Sequence, residues 1–172
     1  MITGQGRYVD DITMAGMVHA VFVRSIEAHA FIDSITVEGD ECDGRMYTAS
    51  ELGLERPMPN QYPSPLIVQS IQASPLAVHE VCYVGEPVAV VVAETMAAAV
   101  DCADAVQVEY SSLPVIMDHR LALDADSAPA HHGSGSNLVG TLSARFGDVD
   151  SAFTATERVV SIEVDQHRGA LA

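Results

Sequence analysis

Lysine is absent from the 172-residue chain: all eight basic side chains are arginines. No P-loop lysine, Schiff-base lysine or Ser/Lys dyad can therefore be built from it. Eight basic against 24 acidic residues leave a formal net charge of −16. That field repels phosphates and argues against nucleic acid and anionic membranes as partners. Charged residues of both signs reach only 19%, against 48% hydrophobic, the composition of a folded globular chain and not of a disordered one. Long apolar runs are missing too. The most apolar stretch, Val88 to Val100, is broken by Glu94 and Thr95, well short of the ~20 residues that a membrane-spanning helix needs. The opening residues Met1 to Arg7 lack the apolar core of a secretory signal, which points to the cytoplasm. Cysteine is sparse and unpatterned: Cys42, Cys82 and Cys102 are odd in number and show no CxxC spacing. Neither a disulfide framework nor a closed zinc site is expected, and all three are read as reduced, mostly buried thiols.

What is present is a succession of short apolar segments. Met17–Arg24 and Phe31–Val37 have strand character, and the Ser25–Ala30 link between them carries Glu27 and His29 as a surface connection would. A third strand is expected at Arg45–Thr48, followed by a turn capped by Ser50. Five of the eight prolines fall between Pro57 and Pro75, so that stretch reads as a long surface loop. Val81–Val84 reads as a strand, Gly85-Glu86-Pro87 as a turn, and Val88–Ala93 as a central strand buried on both faces. Thr95 caps a helix with Met96, Ala99, Val100, Ala103 and Val106 on one face, and Gln107–Tyr110 returns as a strand. Strand, helix and strand in this order imply a βαβ crossover, with one sheet covered by the helix. Asp118–Asn137 has linker composition, a short helix follows through Ala155, and Val159–Val164 reads as a strand without a partner of its own.

Candidate chemistry is thin. His131-His132 has no cysteine near it in sequence and sits in the linker-like stretch, so solvated linker is preferred to metal site. Asp10-Asp11 offers paired carboxylates, but consecutive side chains diverge, and a loop or turn cap fits better. Gly4-Gln5-Gly6 lacks the third glycine and the preceding strand of a dinucleotide fingerprint. No spacing pairs a cysteine with any of the seven histidines as a nucleophile. Glu86, between a glycine and a proline, is the one carboxylate whose turn could aim it into a cleft, and it stands as a weak cofactor-binding candidate. No catalytic residue and no metal ligand is nominated.

The order of motifs is more specific than any one of them. Gly4-Gln5-Gly6-Arg7-Tyr8-Val9-Asp10-Asp11-Ile12 is followed by Gly16-Met17-Val18-His19-Ala20-Val21-Phe22-Val23-Arg24-Ser25 with Ala28-His29-Ala30. Next come Tyr83-Val84-Gly85-Glu86-Pro87 leading into Val88–Thr95, and Val108-Glu109-Tyr110 with Leu113-Pro114. This succession resembles the a/b hammerhead domain that opens the molybdenum-binding large subunit of the xanthine dehydrogenase, aldehyde oxidase and carbon monoxide dehydrogenase family. Asn137, Gly147-Asp148-Val149, Ala152-Phe153 and Gln166-His167-Arg168-Gly169 resemble the exit from that domain. One local departure is Gly39–Gly44, where the family has a longer helix and a Pro-Gly-Val turn.

The resemblance implies an α/β (α+β) hammerhead-like fold, a mixed sheet with a covering helix, over residues 1–137, and an exit segment over 138–172. It implies a structural domain, inactive alone, of an oxidoreductase whose complete large subunit binds molybdopterin cytosine dinucleotide, with iron–sulfur and FAD in partner subunits or domains. The family's GGGFG loop and its GxGE segment lie downstream of this domain. Expected partners are the downstream molybdopterin-binding domain and the iron–sulfur and flavin subunits, with a homodimer through the unpartnered tail as a further possibility. The competing readings are an independent hammerhead-like binding or assembly module and a standalone hydrolase built on cysteine or histidine.

Overall fold

The computed structural model describes residues 4, 6–38, 42–58, 66–69, 71 and 74–164. The expectations for Gln166–Gly169, and parts of those for Gly39–Gly44 and the proline-rich loop, lie outside the described residues. The chain divides into two compact units, Met1–Gly140 and Thr141–Ala172.

The first unit holds two three-stranded antiparallel sheets. One has the order β1 (His19–Arg24), β5 (Pro87–Ala93), β3 (Gly44–Thr48). The other has the order β4 (Glu80–Val81), β2 (Ala30–Val37), β6 (Val106–Ser112). As the continuous valine run of β5 demands, β5 is central: Val91 lies opposite Val21 on one side and Met46 on the other. Val91 is buried and Val90 half-buried.

The expected βαβ unit is not formed. Helix α1 (Met96–Asp104) leaves β5, but the strand after it, β6, pairs antiparallel with β2 in the other sheet. Both edges of β5 are already taken by β1 and β3, so β6 has no place beside it. An apolar strand reports that it is covered on both faces, not which way its neighbours run. The core explains the arrangement, because both buried clusters draw on both sheets. Val88 and Val23 pack with Ala30, Val81, Ile32 and Val108, and Val91 packs with Val106, Ile35, Val37 and Cys102 of α1.

Thr95 caps α1 as expected, accepting from the Ala98 N–H at 3.1 Å. The buried face is Ala99 and Cys102. Met96 and Val100, expected on that face, are 50% and 40% exposed, and Val106 belongs to β6. A nine-residue helix lying on a sheet by its small side chains has no room beneath it for the larger ones. After β3 the Thr48 hydroxyl and backbone N–H, not Ser50, hold the turn by bonding the Glu51 carboxylate. Strand β4 is only two residues long, and the chain turns away at Cys82. Gly85 at φ +90° allows that turn, a conformation side chains disfavour.

In the second unit, α2 (Val149–Ala155) is capped by the Asp148 carboxylate. The expected strand at Val159–Val164 is not formed. Its residues alternate as a strand would, but no ladder partner occurs among the described residues, and Val160, Ile162 and Val164 are 78%, 85% and 74% exposed. Among the described residues, no helix is long and apolar enough to cross a membrane.

Candidate functional site

The Ser25–Ala30 connection is not the surface link that its polar residues suggest. Ser25 and His29 are 3% and 5% exposed. Ser25 exchanges backbone bonds with the Gly85–Glu86 turn, donating to the Glu86 carbonyl at 2.8 Å and accepting from Gly85 N–H at 2.7 Å. This extends the β1–β5 pairing by one residue into the turn that enters β5. The imidazole of His29 then spans two elements: Nδ1 lies 2.7 Å from the Pro114 carbonyl oxygen and Nε2 2.7 Å from Glu80 Oε1. A carbonyl oxygen only accepts, so Nδ1 carries a proton and Nε2 is the nitrogen turned to Glu80.

Glu80 lies opposite Phe31 in the β2–β4 pair, and its Oε1 also accepts the His132 backbone N–H at 2.7 Å. Burial pushes its carboxyl up. Hydrogen bonds from the His132 N–H and the His29 ring, with the charge of that ring and the Cys82 thiol, outweigh burial and hold the carboxyl below its ordinary value. Two residues on, Cys82 donates its N–H to Glu86 Oε2 at 2.6 Å, and its Sγ is 3.1 Å from His131 Nδ1. Burial, followed by the neighbouring Glu80 and Glu86 carboxylates, pushes the Cys82 thiol up to about 12. The nucleophile of cysteine chemistry is the thiolate, so the Cys82–His131 contact is not an activated nucleophilic pair.

These side chains border an open cavity of about 430 Å³ whose lining includes His79, Glu80, Cys82, Tyr83, Glu86 and His131. Its wall on one side is Ala130 and His131, from the stretch Asp118 to Asn137 that composition reads as a solvated linker. The structure gives it fixed geometry instead. Asn137 donates to the carbonyls of Ala122 and Ala128 and accepts from the Ala130 N–H, while the His132 ring meets Phe31 edge-on at 4.8 Å.

Of the residues singled out from sequence, Glu86 does line a cleft, with its carboxylate occupied by the Cys82 N–H. His131 lines the same cleft, whereas the His132 ring packs on Phe31. Asp11 caps a turn, accepting from the Tyr8 N–H at 2.8 Å. The residues missed are His29, Glu80 and Cys82, whose ligand atoms all lie within 4.8 Å of one another. The one local signal was Glu80-x-Cys82 at the period of a strand, which directs both side chains to the same side.

Cys42 and Cys102 are not reduced thiols but a disulfide, with Cα atoms 5.0 Å apart across 60 residues, and Cys82 is the free one. Sequence spacing could not show this, because the pair joins the entry to β3 with α1, and proximity there is created by the sheet beneath.

Residues 3–114 match the family model described as "Aldehyde oxidase and xanthine dehydrogenase, a/b hammerhead domain". The chain belongs to this family. It is 38% identical over 170 residues to the nicotine 6-hydroxylase large subunit of Paenarthrobacter nicotinovorans, an alignment covering 94% of this chain and 20% of that protein. It is 34% identical over 145 residues to the carbon monoxide dehydrogenase large chain of Afipia carboxidovorans, covering 83% of this chain and 17% of that one. Among solved structures, a Cu,Mo-CO dehydrogenase in its carbon monoxide-reduced state superimposes with a TM-score of 0.71 at 29% identity, covering 91% of this chain and 21% of that chain. The homologues are large subunits of molybdenum hydroxylases. The hammerhead chain spans about a fifth of their length, so it is a partial unit by comparison with them. The two-sheet fold with its covering helix agrees with the α+β hammerhead architecture expected from the motifs.

Proposed function

We propose that the chain serves as a structural domain at the start of a molybdenum hydroxylase large subunit and has no catalytic activity by itself. The observation that carries this reading is the coverage: one alignment takes in 94% of this chain but only a fifth of the relative. We divide it into a hammerhead domain at 1–137 and an exit segment at 138–172. The separation of compact units at Gly140 supports that division. The exposed Phe146, Ile162 and Val164 of the exit segment support docking to a downstream molybdopterin-binding domain, or to a second copy of the chain.

In the complete protein the cofactor would be molybdopterin cytosine dinucleotide, with iron–sulfur and flavin partners relaying electrons. Neither of two cavities in the hammerhead unit favours that cofactor. The cavity beside His131 is bordered by Glu80 and Glu86, and a second, beside the disulfide, by Glu38, Asp43 and Asp101, with no arginine in either lining. A pyrophosphate placed there would meet charge of its own sign. The cofactor is therefore assigned downstream.

The compartment proposed is the cytoplasm. The Cys42–Cys102 bond runs against this, since thiols there are ordinarily kept reduced; trapping the thiols with a mass-shifting reagent in lysed source cells reads the redox state directly. Immunoblotting the same cells tests the main reading. A polypeptide about five times the length of this chain is expected from the share of the relatives it covers. A band at the size of the chain itself would overturn the reading in favour of an independent binding or assembly module.

A further inference from the structure

We infer that His29, Glu80, Cys82 and His131 form a structural zinc site that fastens the 118–137 segment to the edge formed by β2 and β4. No sequence spacing nominates these ligands, because the four residues come from the start of β2, the end of β4 and a loop 49 residues further on.

Three observations point to a cation. The first is the donor set. His29 Nε2, Glu80 Oε1 and Cys82 Sγ lie within 4.8 Å of one another, and His131 Nδ1 is 3.1 Å from that sulfur. Two imidazoles, a thiolate and a carboxylate suit Zn²⁺, whereas Mg²⁺ and Ca²⁺ require oxygen donors. A tetrahedral site needs ligand separations of roughly 3.3–3.8 Å; the His29 Nε2–Glu80 Oε1 and Cys82 Sγ–His131 Nδ1 separations are 2.7 and 3.1 Å, so each pair must open by a few tenths of an ångström to admit the ion. The second is the orientation of His29, because its Nδ1 is fixed on the Pro114 carbonyl and its Nε2 faces inward, the second-layer bond by which metal-binding histidines are held. The third is charge. Glu80 and Glu86 line the same cavity as Cys82, two carboxylates whose negative charge favours a dication between them. On binding, Zn²⁺ forms bonds to Cys82 Sγ and His29 Nε2, and the thiol proton and the Nε2 proton held against Glu80 both leave to solvent, with no change of oxidation state.

The test uses the chain purified without chelator and with the Cys42–Cys102 pair oxidised, which leaves Cys82 as its one thiol. It is stripped with EDTA, then titrated with Zn²⁺ against a chromophoric competitor and, separately, with Co²⁺. One equivalent of zinc is expected, with a thiolate-to-cobalt charge-transfer band for Co²⁺. Cys82→Ser and His131→Ala, both at the half-buried rim, should each weaken zinc by more than about 100-fold, beyond the 10–100-fold typical of a second-layer change. His132→Ala, which keeps the backbone bond to Glu80, should bind within a few-fold of the wild type. Circular dichroism verifies that each variant is folded. Substoichiometric zinc in the folded wild type, absence of the charge-transfer band, or full zinc binding by both Cys82→Ser and His131→Ala would each overturn the site.

Discussion

The His29 imidazole is the single side chain on which the first unit should depend most. His29→Ala removes a bond to the Pro114 carbonyl and a bond to the Glu80 carboxylate, both 2.7 Å long, from a ring 5% exposed. A neutral hydrogen bond is worth about 1 kcal/mol and one to a charged group about 1.5–3 kcal/mol. Glu80 keeps the His132 N–H and is 21% exposed, so it is not left as a stranded charge. A loss of about 2.5–4 kcal/mol is expected in metal-free buffer, which for a unit of this size lowers Tm by roughly 10 °C. The pH dependence provides an independent check. The Glu80 carboxyl is held below its ordinary value of 4.5 in the folded chain, so its contribution is complete above that pH and is lost as the pH falls through the lower folded value. Urea melts of wild type, His29→Ala, Glu80→Gln and the double variant, taken between pH 3 and 7, measure both effects. The cycle should return a coupling of about 1 kcal/mol or more at pH 7. A loss of less than about 1 kcal/mol for His29→Ala, or an acid limb identical in wild type and His29→Ala, would refute the reasoning.

Three further outcomes are expected. Ala99 is fully buried between α1 and the β1–β5–β3 sheet, so Ala99→Phe should overpack that contact and cost about 1–3 kcal/mol in a thermal melt. Because the Cys82 thiol is raised from 9.0 to about 12, the folded metal-free chain should resist iodoacetamide at pH 8, where urea exposes the thiol to mass-detected labelling. Its contribution to stability, complete below pH 9, should fade as the pH rises towards 12. Reducing Cys42–Cys102, a link across 60 residues, frees the unfolded chain by at most about 4 kcal/mol and more typically by 2–4 kcal/mol, visible as a lower urea midpoint in dithiothreitol.

By itself the sequence determined the local elements of the hammerhead unit. β-branched runs made β1, β2 and β5, the alanine-rich stretch after Thr95 made α1, and the Gly85-Glu86-Pro87 turn set the exit from β4, because each follows from side-chain period and backbone preference within a few residues. The motif order along the chain was enough to bring the family into view. Partner choice was decided only by the tertiary structure. That β6 joins β2 and not β5 depends on Val91, Val106, Ile35 and Cys102 closing one core from two sheets, a packing condition that no local window contains. The same holds for chemistry. Cys42 met Cys102, and His29 met Glu80, Cys82 and His131, because the folded chain brought together positions dozens of residues apart. The linker-like stretch around His131 is held by its own Asn137 bonds and by contacts to Glu80 of β4 and to Cys82 just after it, which exist only once β4 is in place beside it.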